Sequence, residues 1–315
     1  MGGTKVITKL YAIAVSIAVC SAVAGAQQYP PPPAQEQYPP QQQYPADQQY
    51  PQQSYPGYNG PAPQFYPDQL DNLVGRIALY PDPLLAEMLT AATYPDQIPQ
   101  AATWANEHRY LRGPDLTAAM QSDQLYFEPN VMALIPFPDV LDMMARDPGW
   151  TQELGSAVLA NRAAVMDAVQ RMRQRAYDYG YLRSNAYEQV VMAGPGMIEI
   201  LPVQQGYYYV PRYNPAVVFV RPRPGFYVGG AITFGPRIFI GGDFGRFGWM
   251  GPSMDWRGHT VIIDRRPWDR TWDNRARYVH PYTARPEYYR PGVRPGVRYE
   301  RHEHSANRDE HRDRH

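Results

Sequence analysis

From Asp68 onward, apolar residues recur with helical spacing. Leu70, Leu73, Val74 and Ile77 fall on one face, and Leu84, Leu85, Met88 and Leu89 repeat the pattern one element later. Ile98, Ala101, Ala102 and Trp104 predict a third helix, with shorter ones over 116–120, 131–135 and 140–144. A long helix is expected over about 151–179, striped by Leu154, Val158, Leu159, Val165, Met166, Val169 and Met172. Arg171, Arg173 and Arg175 lie near its C-terminal end and Gly180 follows, which suits the helix dipole and a left-handed cap. Residues 68–183 therefore read as a helical domain of short helices plus one long one.

The period then changes. Residues 187–220 are rich in Val, Ile, Tyr and Phe and are broken at Gly194-Pro195-Gly196, Gln204-Gln205-Gly206 and Tyr213-Asn214-Pro215. Three or four short strands in a meander are expected there. The stretch 225–245 predicts a Gly-rich pair of strands about Pro236, and "HTVIID" from His259 predicts a last strand. Residues 187–264 thus form a small antiparallel β region, and the fold class is α+β. After it, 265–315 mixes Arg, Pro, Tyr, His and acids without apolar period and reads as a disordered tail.

Tyr-Pro-Asp occurs at Tyr66, Tyr80 and Tyr94, fourteen residues apart each time, and Asp139 adds a fourth Pro-Asp. Each aspartate stands just before an apolar-periodic run. Asp68, Asp82, Asp96 and Asp139 are therefore read as structural N-caps that accept bonds from the first helical turn. Loss of the cap at Asp82 would cost about 1 kcal/mol. The spacing is that of a short helix and its turn, not of a ligand set.

Composition changes the picture at the N-terminus. Lysine occurs only at Lys5 and Lys9, and the single cysteine is Cys20. The two lysines form an n-region, Leu10 to Val19 an apolar h-region, and Ala24 and Ala26 a small-residue cleavage site, so 1–26 reads as a signal peptide. Lipidation of Cys20 and retention as an anchor are the alternatives. Val19 is bulky for the first, and the apolar stretch is short for the second. The chain is then exported to the periplasm or cell envelope, or secreted. A mature chain without lysine or cysteine has no Schiff-base lysine, P-loop lysine, cysteine nucleophile or thiolate zinc site.

Residues 27–67 form a Tyr/Pro/Gln-rich linker in which Gln and Pro supply 24 of 41 positions. Disorder with polyproline II bias is expected. It serves either as a spacer or as a segment recognised through its tyrosines and prolines. A formal net charge of zero gives no argument for nucleic-acid binding.

No G-x-S-x-G or H-E-x-x-H motif is present. His302, His304, His311 and His315 lie in the tail, where nothing fixes metal geometry, so no metal site and no cofactor is expected. His259 and Asp264 are five residues apart, an odd spacing that places them on opposite strand faces. Trp249, Trp256, Trp268 and Trp272 fall within 24 residues, beside Arg257, Arg265 and Arg266. Aromatic faces with planar donors suit glycan rings or a partner surface. The competing reading is that Trp249 and Trp256 pack the sheet while the others decorate the tail.

The stretches "IALYPDPLLAEMLTAATYPDQI", "IPFPDVLDMMARDPGWTQELGSAVLANRAAVMDAVQRMR" and "IEILPVQQGYYYVPRYNPAVVF" resemble a bacterial exported family catalogued as domain of unknown function 3300. The resemblance implies an exported protein with a helical N-terminal part and a Gly-rich C-terminal part, and it carries no catalytic residues. The expectation is a non-enzymatic envelope module that binds a protein or cell-wall polymer. An enzyme using Asp243, Asp255 or Asp264 near the tryptophans, and a peripheral membrane protein, are the alternatives.

Overall fold

The computed structural model describes residues 61–223, 229–278 and 282. The expected signal peptide, most of the 27–67 linker and the tail histidines lie outside the described residues. Helices α1 (Pro67–Val74), α2 (Asp82–Ala91), α3 (Ile98–Glu107), α4 (Gly113–Ser122), α5 (Pro129–Met132), α6 (Pro138–Arg146) and α7 (Pro148–Asp178) come first. Strands β1 (Glu188–Gly194), β2 (Met197–Pro202), β3 (Tyr207–Tyr208) and β4 (Pro211–Tyr213) follow, then α8 (Pro215–Val218). The described chain continues with β5 (Ile232–Phe234), β6 (Ile238–Phe239), β7 (Ser253–Asp255), β8 (Thr260–Ile263) and β9 (Arg266–Pro267). The class is α+β, as the sequence predicts.

Proline starts the helices. Each of α1 to α8 has one at its first or second position, where the missing N–H removes no intrahelical bond and φ is already set. Helix α2 is the core's axis: every residue except Pro83 is buried. A helix apolar nearly all round must be covered on all sides, and α5, α7, β2, β7 and β8 cover it. Buried residues from α1 through Ile263 form one continuous cluster, so the helical and β parts share a core.

The expected long helix exists but breaks at Asn161, whose φ of −156° and ψ of 81° are not helical. Its side-chain oxygen accepts from the Ala164 amide at 3.0 Å and so caps the second half. The Leu159 carbonyl instead accepts from the Trp272 amide at 2.8 Å.

The β part consists of narrow ribbons. β1 and β2 form an antiparallel hairpin, β3 pairs with β6, β4 with β5, and β7, β8 and β9 form a three-stranded sheet. The free edge of β2 is held by side chains. Gln170 accepts from the Ile198 amide and donates to the Ile198 carbonyl, at 2.8 and 3.0 Å, as a neighbouring strand would.

Three expectations need correction. The stretch after Asn214 is helix α8, not strand, because Asn214 caps Ala216 and Pro215 takes the first helical position. The strands flanking Pro236 do not pair with each other; each pairs with an earlier strand. Order also continues past Arg265: β9 completes the last sheet, and Trp272 and Tyr282 pack against Leu159 at the α7 break. Those two aromatic rings supply the apolar area that the averaged tail composition conceals.

Candidate functional site

None of the four aspartates expected as N-caps occupies that position. The N-cap residues are Tyr66, Pro81, Gln97 and Phe137. Asp68, Asp82 and Asp139 sit within the first turn, where they still complement the dipole, and Asp96 lies in the turn before α3. Helices α1, α2 and α6 start one or two residues before the position expected from the aspartate, and α3 starts one residue after it.

Asp82 reaches furthest into the core. One of its oxygens accepts from Arg173 at 2.6 Å and from the Ile200 amide at 3.3 Å, and the other from the Trp256 indole at 2.8 Å. Arg173 is 0 % exposed. It also donates to the Ala78, Tyr80 and Ile198 carbonyls at 2.8, 2.9 and 2.8 Å, and its guanidinium lies 4.8 Å from the Trp256 ring centre. Burial pushes the Asp82 carboxyl above its ordinary value, while Arg173 and the indole pull it back. A buried pair with nearly all of its donors and acceptors matched is a clamp between α2, α7, β2 and the β7–β8 turn. It has no open face for a ligand.

The other tryptophans are also committed to packing. Trp249 stacks on Phe137 and donates to the Ala133 carbonyl at 2.9 Å. Trp268 lies beneath Arg162, and Trp272 is buried with Leu159 and Tyr282. Arg257, Arg265 and Arg266 are exposed. Of the four indoles, Trp256 and Trp272 are thus buried, where their large apolar area is best used, while Trp249 and Trp268 are half-buried and the three guanidinia stand in solvent. His259 pairs with Asp167 at 2.9 Å rather than with Asp264.

The open site lies elsewhere, in a groove of about 400 Å³ between α6 and β4. Tyr80, Met143, Val210 and Tyr213 supply an apolar floor, and Arg76, Asp139, Asp142, Arg146 and Arg212 supply the charges. Arg212 pairs with Asp139, which Arg109 also approaches at 3.6 Å. Arg146 faces Asp142 at 3.6 Å, one helical turn away, and Arg76 pairs with Asp147 at 2.9 Å. The Tyr80 hydroxyl donates to the Met143 sulfur at 3.9 Å, and burial, then Asp139, raises its pKa, so the phenol keeps its proton. Fixed charges of both signs thus stand above an apolar floor. The acids of the enzymatic alternative, Asp243, Asp255 and Asp264, are not among the groove's lining residues.

Sequence reasoning missed this groove because its residues come from α6, the turn before α2 and β4, far apart along the chain. The one local signal was Pro-Asp at Asp139, read for its cap. Among the described residues, no group of three or more His, Cys, Asp or Glu is placed to hold a metal, and no helix is long and apolar enough to cross a membrane.

A relative from Escherichia coli (strain K12), "Uncharacterized protein YacH", is 34% identical over 182 residues, covering 48% of this chain. The match spans 29% of that relative's own length. No solved structure matches. The family model described as "Protein of unknown function (DUF3300)" matches residues 66–284, which take in the clamp, the groove and every described strand, and the chain belongs to that family.

Proposed function

We propose that this is a non-enzymatic protein exported to the cell envelope, where its ordered part binds a protein or cell-wall polymer through the groove between α6 and β4. The observation that carries the reading is the groove's lining. Arginines and aspartates of both signs surround an apolar floor, a combination that fits a chain bearing amino and carboxylate groups, such as peptide or the peptide part of a wall polymer. The export half rests on Lys5, Lys9, the apolar run to Val19 and the small residues at Ala24 and Ala26.

The test is affinity purification of the full-length protein from cross-linked cells, beside an Arg146→Ala/Arg212→Ala variant. The expected result is a protein or wall fragment recovered with the wild type and depleted with the variant. Recovery of nothing above control, or equal recovery with both, overturns the groove as the binding site. Fractionation of the same cells tests export, and a protein found wholly in the cytoplasmic fraction overturns that half.

A further inference from the structure

A second surface, independent of the groove, lies on the outer face of the β ribbons. In "GYYYV" from Gly206, burial alternates: Tyr208 and Val210 point into the core, while Tyr207 and Tyr209 are half-buried on the other face. Each outward tyrosine gathers partners. Tyr209 meets Tyr187 with ring centres 4.9 Å apart and planes at 61°, and Tyr187 meets Phe234 at 4.6 Å and 31°. Tyr207 meets its cross-strand partner Phe239 at 5.0 Å and 39°, with the Arg237 guanidinium 4.9 Å from the Tyr207 ring centre. Tyr187 is 42% exposed and Phe239 47%. Five aromatic rings and a guanidinium thus stand on ribbons whose inner faces already serve the core.

Ring geometry narrows what this face fits. Sugar rings stack on broad, coplanar aromatic faces. Here every pair is tilted or edge-on, so the rings offer inclined faces and edges instead of one flat platform. Clustered aromatic rings of this kind accept the proline rings of a Pro-rich segment, and a nearby donor meets its unpaired carbonyls. The sequence offers a tract of that composition: between Tyr29 and Pro56, prolines follow tyrosines at Tyr29, Tyr38, Tyr44, Tyr50 and Tyr55. That tract holds only Glu36 and Asp47 as charges, so ring stacking and Arg237 hydrogen bonding, rather than ion pairing, suit it.

We infer that the Tyr187–Tyr209–Phe234 and Tyr207–Phe239 faces form a docking surface for the Tyr/Pro-rich tract of a second copy of this chain. Surface and ligand are different patches, so the contact is head-to-tail and can propagate from copy to copy.

The test uses the full-length protein, free of its signal segment, and a labelled peptide of residues 28–45. Sedimentation should show association that rises with concentration, and excess unlabelled peptide should reverse it. Two variants divide the contact. Tyr187→Ala/Phe234→Ala should bind the labelled peptide at least about tenfold more weakly, a loss of roughly 1.4 kcal/mol. Replacing Pro31, Pro32, Pro39 and Pro40 by Ala should abolish self-association while leaving peptide binding intact, and because these positions precede the family-matched residues 66–284 this arm stands even if the first variant fails to fold. A chain that stays monomeric at every concentration tested, or that binds chito-oligosaccharide but not the peptide, overturns the inference.

Discussion

Arg173 and Asp82, 91 residues apart in sequence, meet at 2.6 Å in the interior, and the Trp256 indole completes the contact from 174 residues away. This pair joins the first turn of the central helix to the long helix and the last sheet. It is why the helical and β parts are one body. Gln170 adds to the same seam by acting as the missing neighbour of β2.

Removing one partner of the clamp should be far costlier than cap loss. Asp82→Ala leaves a guanidinium buried without its counter-charge, and Arg173→Met leaves a buried carboxylate. Each should cost about 3–5 kcal/mol, against the roughly 1 kcal/mol of a lost cap. Urea unfolding followed by tryptophan fluorescence measures this. The double variant Asp82→Leu/Arg173→Met should recover part of the loss, since no charge is then stranded. A single-variant cost near 1 kcal/mol would mean that the carboxylate acts only on the helix end.

Stability should fall as pH rises through the neutral range. Burial first, against Arg173 and Asn185, pushes Glu188 from 4.5 up to about 8. Burial and then Asp264 push Glu87, which is fully buried on α2, well above its ordinary value. A carboxyl with a raised folded pKa holds its proton more tightly in the folded state. Its contribution is full below 4.5 and is lost as pH climbs through the folded value, for Glu188 between 4.5 and about 8. Glu188→Gln should therefore flatten the stability–pH profile across that window. A wild-type profile that rises from pH 5 to 8 would contradict it.

Gly155 marks a close helix crossing. A Cβ there would stand 2.1 Å from the Ala92 carbonyl oxygen, a backbone atom that cannot swing away. Gly155→Ala should force α7 off the end of α2 and cost about 1–3 kcal/mol or more, read as a lower denaturant midpoint. A midpoint equal to wild type would show that α7 shifts without loss.

How much of this was legible in sequence depended on range. The helices were legible from local spacing, because Leu, Met and Ala at three- and four-residue intervals decide burial whatever lies opposite. Proline helped to locate the starts and misled about the caps, since Pro81 takes the position assigned to Asp82. The partner of Asp82 was not legible: Arg173 reads equally well as a cation suited to a helix C-terminus. The Trp249 to Trp272 cluster was seen as a unit because its members are close in sequence, yet Trp249 packs beside α5 and α6, Trp256 joins the Asp82–Arg173 clamp, and Trp268 and Trp272 meet α7 at Arg162 and Leu159. The groove and the aromatic face had no compact signal, since strands of two or three residues draw their partners from distant segments.

The groove's ion pairs should matter for binding and little for folding. Arg212 and Asp139 are each partly exposed, with side chains 55% and 40% accessible, so solvent screens their attraction. Such pairs contribute about 0–1 kcal/mol to stability. Arg212→Ala should thus leave the urea midpoint nearly unchanged, and so should Arg146→Ala, whose partner Asp142 is one helical turn away. The same substitutions remove two of the three arginines lining the groove. A ligand held by charge should then dissociate faster in both variants, with a weaker dependence on salt than in the wild type. Pull-down yields at low and high ionic strength separate the two effects. If the variants unfold early, the pairs are structural and the groove loses its claim as a site; if they fold normally and lose the salt-sensitive partner, the charges are there to bind it.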